Sequence, residues 1–417
     1  MRYVIYLIMS FFSLASLNSL AAQEELTLDE VVVSVLENNP ELKINDFEAL
    51  AAAARIRAAR QTRPMSLNVE FENFAGSGAR KGSDALETTL SLSKVFELGD
   101  KASLRGDVAQ RKSELLRNRQ DAKRLDLLSE AARRYIHVIV DQHRLIIAKE
   151  KLALVKRTYK VVDKRVKAGR SPVAERRRIT IALARAEIEL EHMEHELASS
   201  RVKLSSMWGN IKPGFTTAQG NIFALTQVVT LAQLETLLEQ NPDLVRFATT
   251  RRLAEARLNL AMSKQSANVE FTAGVRNFSA TDDNAFIVSA NIPLGLNSRA
   301  ADSIEAENLQ LQKEPFNYEK QRLDLYSSLF EVYQELQHAY TAINVLRNKI
   351  IPEAKQALRE YERGYAAGRY SFIELIDAQS TLLDAQLEVV MTSANYHRYR
   401  IEIDRLTGVR LSTGAKQ

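Results

Sequence analysis

The sequence predicts a mainly α-helical chain with a small β part, in which one helix–strand–strand–long-helix–helix unit occurs twice. Three observations carry that expectation. Only 15 Gly and 8 Pro punctuate 417 residues, so elements must be long and loops few. Landmarks of the first half return in the second at a nearly constant spacing of about 200 residues, the mark of a duplicated unit. No Gly or Pro falls between Gly106 and Gly169, a stretch that would reach about 93 Å as one helix at 1.5 Å per residue.

Composition removes several function classes. The chain has no Cys, which excludes disulfide frameworks, thiolate metal sites and cysteine nucleophiles. Its 57 basic and 52 acidic residues are interspersed, which reads as solvated helix faces and not as a nucleic-acid stripe. No nucleotide-binding glycine loop, HExxH or convincing GxSxG is present, and lone carboxylates on long helices do not make a catalytic site. The expectation is a chain that is not an enzyme and needs no cofactor.

The N-terminus opens with Arg2, an apolar run from Tyr3 to Leu17, and small residues at Ala21 and Ala22. These are the three regions of a secretory signal peptide, residues 1–21 with cleavage at 21 or 22. No Cys follows, so a lipid anchor there is chemically excluded. No later run reaches the roughly 20 apolar residues of a membrane-spanning helix.

The first repeat is expected over 22–210. Thr27 caps an apolar-periodic helix that stops at Asn39-Pro40 and restarts. The second repeat, 230–409, begins the same way with Thr230 and Asn241-Pro242. A linker, 211–229, separates the two, and a tail, 410–417, ends the chain. Asn68-Val-Glu-Phe71 recurs as Asn268-Val-Glu-Phe271 inside period-two patterns that predict strands near 66–74, 86–96, 267–278 and 285–294. About ten alternating residues suit a tilted membrane-spanning strand. Leu67, Val69, Phe71, Val269 and Phe271 would face lipid.

A long helix is predicted at about 101–167, with tips at 168–172 and 366–371. Apolar positions at Leu104, Val108, Leu115, Ala122, Leu125, Ala132, Ile136, Ile139 and Ile146 step by three, four or seven, and Leu152, Val155, Tyr159, Val162 and Val166 resume after a phase slip. That pattern is a heptad seam with a stutter. After each tip the seam returns, through Ala186, Met193 and Leu197, and through Leu375, Leu382 and Val389.

Four strands cannot close a barrel, and an open sheet edge is not tolerated in lipid. Three chains would supply twelve strands, an even number within the known barrel range. Their long helices would form a wall too wide to be solid: a conduit.

At this point the ordered features resemble the TolC family of trimeric outer-membrane efflux channels. The resemblance rests on two strand pairs, two long helical hairpins, and the turns Ala168-Gly169-Arg170 and Ala367-Gly368-Arg369, each followed some forty residues later by Gly209 or Gly408. It covers nearly the whole chain after the signal segment. Ser93-Lys-Val-Phe-Glu-Leu-Gly-Asp-Lys101 and Glu72-Asn73-Phe74 look like the heavy-metal (CzcC/CusC-like) branch, with Gly99-Asp100 departing from the usual Gly-Gly.

The resemblance implies a homotrimer in the outer membrane, unlipidated, with a twelve-stranded barrel above a coiled-coil tunnel. Its partners would be membrane lipid, a periplasmic adaptor and an inner-membrane RND-type pump, with no nucleic acid. It would export divalent or monovalent heavy-metal cations. A multidrug or type I secretion channel of the same fold is the alternative, and an exported coiled-coil scaffold without a barrel is the reading from another class.

The resemblance also assigns site residues. Gly169, Arg170, Ser171, Gly368, Arg369, Tyr370 and Ser371 would be adaptor-contact tips. Glu374 and Asp377, one face apart by three residues, would form a cation-selective constriction with Tyr365 as a latch. Glu175 matches Glu374 in the first repeat, whereas Arg178 stands in the place of Asp377. His192 and His195 are weak metal candidates, since His at i, i+3 flanked by Glu can reach one cation. A solvated structural role is the plainer reading of both.

Overall fold

The computed structural model describes residues 23–226 and 229–408. The signal-peptide expectation and the tail 410–417 lie outside the described residues. The chain runs β1 (Gln23–Leu26), α1 (Leu28–Asn38), α2 (Pro40–Ala59), β2 (Met65–Glu72), β3 (Glu87–Glu97), α3 (Lys101–Lys167) and α4 (Val173–Ser205). After β4 (Phe215–Ala218) come α5 (Leu231–Leu238), α6 (Pro242–Ser263), β5 (Asn268–Phe278), β6 (Asp283–Asn291), α7 (Leu296–Val345), α8 (Ile351–Ala366) and α9 (Phe372–Thr407). No described helix is long and apolar enough to cross a membrane.

Matching residues build matching joints in the two halves. Thr27 with Glu30 and Thr230 with Gln233 form capping boxes that satisfy the first amides of α1 and α5. Asn39 accepts from the amides of Glu41 and Leu42, and its own Nδ2 donates to the Met207 carbonyl at 2.7 Å. Asn241 repeats the device, accepting from the Asp243 amide and donating to the Leu406 carbonyl at 2.7 Å. Both Asn side chains are buried. Each therefore ties the start of one helix to the end of another, across more than 160 residues.

The four predicted strands form one sheet in the order β2-β3-β5-β6, every neighbour antiparallel. The two hairpins are thus joined by β3–β5, a pairing between repeats. β2 ends at Glu72 because Asn73 turns left-handed, φ 60°. β6 ends at Asn291, short of the expected 294, because Pro293 has no N–H to give the ladder.

α3 occupies the predicted span of 67 unbroken residues. Val108, Ala122, Ala132 and Ile139 are buried along its seam, and Leu154, Val155 and Val162 continue it. Ile146, also placed on the seam by its spacing, is 51% exposed, because it falls at the phase slip. α7 and α8 are the second-repeat counterpart and are interrupted. Pro315 sits inside α7, and a π-helical turn at Leu346–Ile350 precedes Pro352. Both devices leave backbone groups off the regular ladder.

Segment 211–229, expected as a linker, carries structure of its own. β4 pairs in parallel with β1, and Phe215, Ala218 and Ile222 enter the core beside Val138 and Ile139. Gln142 of α3 fixes the strand with two bonds, to the Ala218 amide at 2.7 Å and the Ala218 carbonyl at 3.0 Å. Tyr135 donates to the Leu26 carbonyl at 3.0 Å. The short Thr-Thr-Ala run gives period-two analysis too little to register.

Candidate functional site

Two regions carry the features expected of a conduit: the sheet and the helical tips. In the sheet, alternation places one set of side chains on each face. The rows Leu67–Leu92–Ala273–Val288 and Val69–Leu90–Val275–Phe286 run across all four strands on one side. Their large members are all exposed. Phe71 and Phe271 lie on this face too, Phe271 against the edge of Phe96 at 5.8 Å, and Val269 is half-buried opposite Phe96. The other face is mostly polar. Asn68 donates to Ser93 at 2.8 Å, and Ser93 meets Thr272 at 2.8 Å. Arg276 bonds Thr89 and Glu87 and pairs with Glu72 at 2.7 Å. β2 and β6 are the free edges of the sheet.

At the tips, both turns end their helices by the same bond pattern. The Gly169 amide bonds the Val166 carbonyl and the Arg170 amide the Arg165 carbonyl. The Gly368 amide bonds Tyr365 and the Arg369 amide bonds Gly364. Each is a Schellman motif, which needs the left-handed residue that Gly169 (φ 71°) and Gly368 (φ 78°) supply. This is why the Ala-Gly-Arg triplet recurs. Arg170, Ser171, Arg369, Tyr370 and Ser371 follow at these ends. Tyr370 packs against Tyr361, ring centres 4.7 Å apart and tilted by 52°, and lies over Gly364, where an added Cβ would come 2.0 Å from the ring.

One residue that sequence reasoning missed ties the two tips together. Arg165 donates to the Tyr365 carbonyl at 2.5 Å and the Ala366 carbonyl at 3.3 Å, reaches Ser171 Oγ at 3.1 Å, and stacks over the Tyr365 ring at 4.7 Å. The Tyr365 hydroxyl then donates to Glu175 at 2.8 Å. Tyr365 is 2% exposed. Burial, and after it the Glu175 carboxylate, hold its phenol above the usual range. Glu175 is therefore engaged within the tip of its own chain. In sequence, Arg165 is one cation among Lys164, Lys167 and Arg170, and nothing marks it apart.

Glu374 and Asp377 are both exposed on α9. Glu374 also closes a capping box with Ser371, accepting from the Ser371 amide at 2.7 Å. That backbone bond holds its carboxyl below the ordinary Glu range. The pattern Ser371-x-x-Glu374 signals the cap from sequence alone. His192 and His195 are exposed, with His195 3.7 Å from Glu191. No group of three metal-ligating side chains exists among the described residues.

The motif Ser93–Lys101 proves to be the joint between sheet and helix. Glu97 takes a bidentate bond from Arg105 at 2.8 and 2.9 Å. Lys101 donates to the Ser266 carbonyl and Asn268 Oδ1, where β5 begins. Gly99 and Asp100 are both left-handed, φ 76° and 52°. Asp tolerates that region better than most residues, which is how the Gly-Asp departure fits.

Comparison with known proteins agrees with this architecture. The sequence profile described as "Outer membrane efflux protein" matches residues 31–210 and 233–409. The first block runs from within α1 to just past α4, and the second from within α5 through α9. The cobalt-zinc-cadmium resistance protein CzcC of Cupriavidus metallidurans is 25% identical over 77% of either chain. The cation efflux system protein CusC of Escherichia coli O157:H7 is 22% identical over 91% of this chain and 85% of its own. The outer membrane protein VceC of Vibrio cholerae shares the fold, with a TM-score of 0.71 over 91% of this chain and 96% of that one at 16% identity. With both repeats matched, the chain belongs to the outer membrane efflux protein family.

Proposed function

We propose that the protein is the outer-membrane exit duct of a tripartite efflux system and passes heavy-metal cations without chemistry of its own. The observation that carries this is the four-stranded sheet, with an exposed apolar band on one face, a mostly polar opposite face and two free edges. Such a sheet is stable in lipid only when its edges are paired. Three copies supply twelve strands, the apolar bands outward and the polar faces around a lumen. Relatedness to CzcC and CusC, named for cobalt-zinc-cadmium resistance and cation efflux, supports metal cations as cargo. The pump and adaptor enter through that same likeness, with the tips at Gly169–Ser171 and Gly368–Ser371 as the adaptor-facing surface.

At the inner end, the exposed acids Glu374 and Asp377 of three chains would surround one axis and favour cations by field alone. Because the cap holds the Glu374 carboxyl low, its charge is lost at a lower pH than that of an ordinary Glu.

The test is twofold. Deleting the gene should sensitise the host to metal salts and not to drugs, and the protein should run as heat-resistant trimers from outer-membrane fractions. A soluble monomer would overturn the duct. In single-channel recordings, Glu374→Gln with Asp377→Asn should weaken block by multivalent cations several-fold. Unchanged block would remove these two residues from the constriction.

A further inference from the structure

We infer that Phe47 of one copy packs against Phe316 of the next, and that this contact is the seam between copies just below the sheet. The inference rests on the assembly reading above and adds which faces meet. The internal duplication supplies the template. α6 is covered on two sides, by α3 of the first repeat and α7 of its own. It buries Leu244, Thr249, Leu253, Ala254, Ala256, Ala261 and Ser263. Its counterpart α2 packs chiefly on α3, meets α1 only slightly, and buries only Ala52. The side of α2 that corresponds to the α3-facing side of α6 is bare. Its counterpart among long helices, α7, likewise lacks a neighbour where α3 has α6.

Sequence equivalence sets the register. Counting from the restarts Asn39-Pro40 and Asn241-Pro242, Phe47 takes the place of Thr249. Thr249 is 4% exposed and accepts from Asn118 of α3 at 3.0 Å. Counting from the left-handed residues Gly99 and Gly295, Asn118 corresponds to Glu314. Counting from Gly169 and Gly368, it corresponds to Asn317. Phe316 lies between those bounds. The symmetry that buries a Thr–Asn contact inside the chain therefore sets Phe47 against Phe316 between chains. These are among the most exposed large side chains of the molecule, at 72% and 76%.

Flanking residues fit the same seam. Val108 and Leu115 of α3 pack on Leu253 and Ala256. In α2 the matching positions are Ala51 and Ala54, small enough for α7 to approach closely. Leu50 and Ile44 extend the apolar strip on α2 and Leu309 and Leu323 that on α7, all exposed in the single chain. An apolar strip with a matching strip on the same molecule's far side forms a head-to-tail contact, which closes into a ring when the rotation allows.

The absence of native Cys makes the experiment clean. Phe47→Cys and Phe316→Cys are placed in one chain, and also in two separately tagged chains that are co-expressed. Outer-membrane fractions are treated with an oxidant or a short bismaleimide, since a disulfide alone demands a narrow spacing. The expected result is covalent two- and three-chain species from the double variant, and a mixed-tag two-chain species from co-expression. Neither single variant alone should cross-link. Oligomers that form but do not cross-link would overturn the seam and leave the duct standing; a monomer would overturn both.

A second arm uses charge. Phe47→Glu should lower the dissociation temperature of the oligomer, and adding Phe316→Arg should restore part of the loss. Independent, additive losses would also overturn the contact.

Discussion

The tip is held by side chains that meet from three elements. Arg165 of α3, Tyr365 of α8 and Glu175 of α4 form one chain of contacts. Its links are of unequal kind. Tyr365→Phe keeps the ring under the guanidinium and removes one hydrogen bond, worth about 1 kcal/mol. Arg165→Ala removes the stacking and every bond to the second tip. Conductance of purified channels should therefore rise modestly in the first variant and substantially in the second. Equal conductance in both would show that the stacking and carbonyl bonds contribute nothing to closure. Elsewhere on α9, burial pushes the Asp404 carboxyl up to about 6, opposed by Arg400. For an acid whose folded pKa is raised, the folded state binds the proton more tightly than the unfolded one. Stability from this group is thus gained as pH falls from above 6 toward the usual Asp value, and is missing at pH 7. Asp404→Asn should stabilise the fold at pH 7.5 by on the order of 1–2 kcal/mol, seen as a higher unfolding temperature, and should flatten the pH dependence of stability between pH 7 and 5. A thermal scan of both proteins at the two pH values decides it.

Among elements, Arg405 shows how three helices are locked. From α9 it bonds Asp126 of α3 and Asp243 of α6, the latter at 2.9 Å, and its side chain is largely buried. Desolvation works against its charge, and the two carboxylates more than offset that, raising its pKa. Arg405→Ala would remove the ion pair of Asp126 and leave Asp243 only Arg246, 3.4 Å away. A loss of about 2 kcal/mol follows, visible as a lower denaturation midpoint, and Asp126→Asn in the same chain should recover part of it. Elements were also where sequence was most and least legible. The length and end of α3 followed from the missing Gly and Pro after Gly106, because nothing short of the motif at Gly169 could stop it. The strands followed from alternation, because one face had to be apolar throughout. β4 did not, because four residues cannot display a period. Nor did the π-helical turn at Leu346–Ile350, because the Pro352 that follows it marks a break in the ladder but not the form the break takes. Ile146 was misplaced because a heptad drifts against a helix of 3.6 residues per turn, and the spacing alone does not say where the slip is absorbed. The tip glycines were legible as turns, yet Arg165, which joins the turns, was hidden among neighbours of the same charge.

For the whole molecule, the sheet sets the decisive constraint. Val69 and Val275 belong to one row of the apolar band, and Phe271 lies on the same face four residues along β5 from that row. A carboxylate placed there would face hydrocarbon, at a depth-dependent penalty of up to a few kcal/mol. Val69→Asp combined with Phe271→Asp should leave the helical content by circular dichroism near wild type but remove the protein from outer-membrane fractions. Wild-type membrane yield would show that this face does not meet lipid. The helical wall below is uneven in stiffness. α3 runs 67 residues without a break, whereas its counterpart carries Pro315 and the π-helical turn. Any bending of the wall will therefore concentrate in the second repeat.

The twin joints at Asn39 and Asn241 have one more implication. Each closes its own half of the chain, Asn39 onto Met207 and Asn241 onto Leu406. A single half thus contains a sealed helical frame, two strands, a hairpin tip and the faces for neighbours on either side. A half-length ancestor would have needed no new kind of contact to make the same ring, only six copies in place of three. Two halves in one chain are free to differ, and here one holds a straight strut while the other carries breaks.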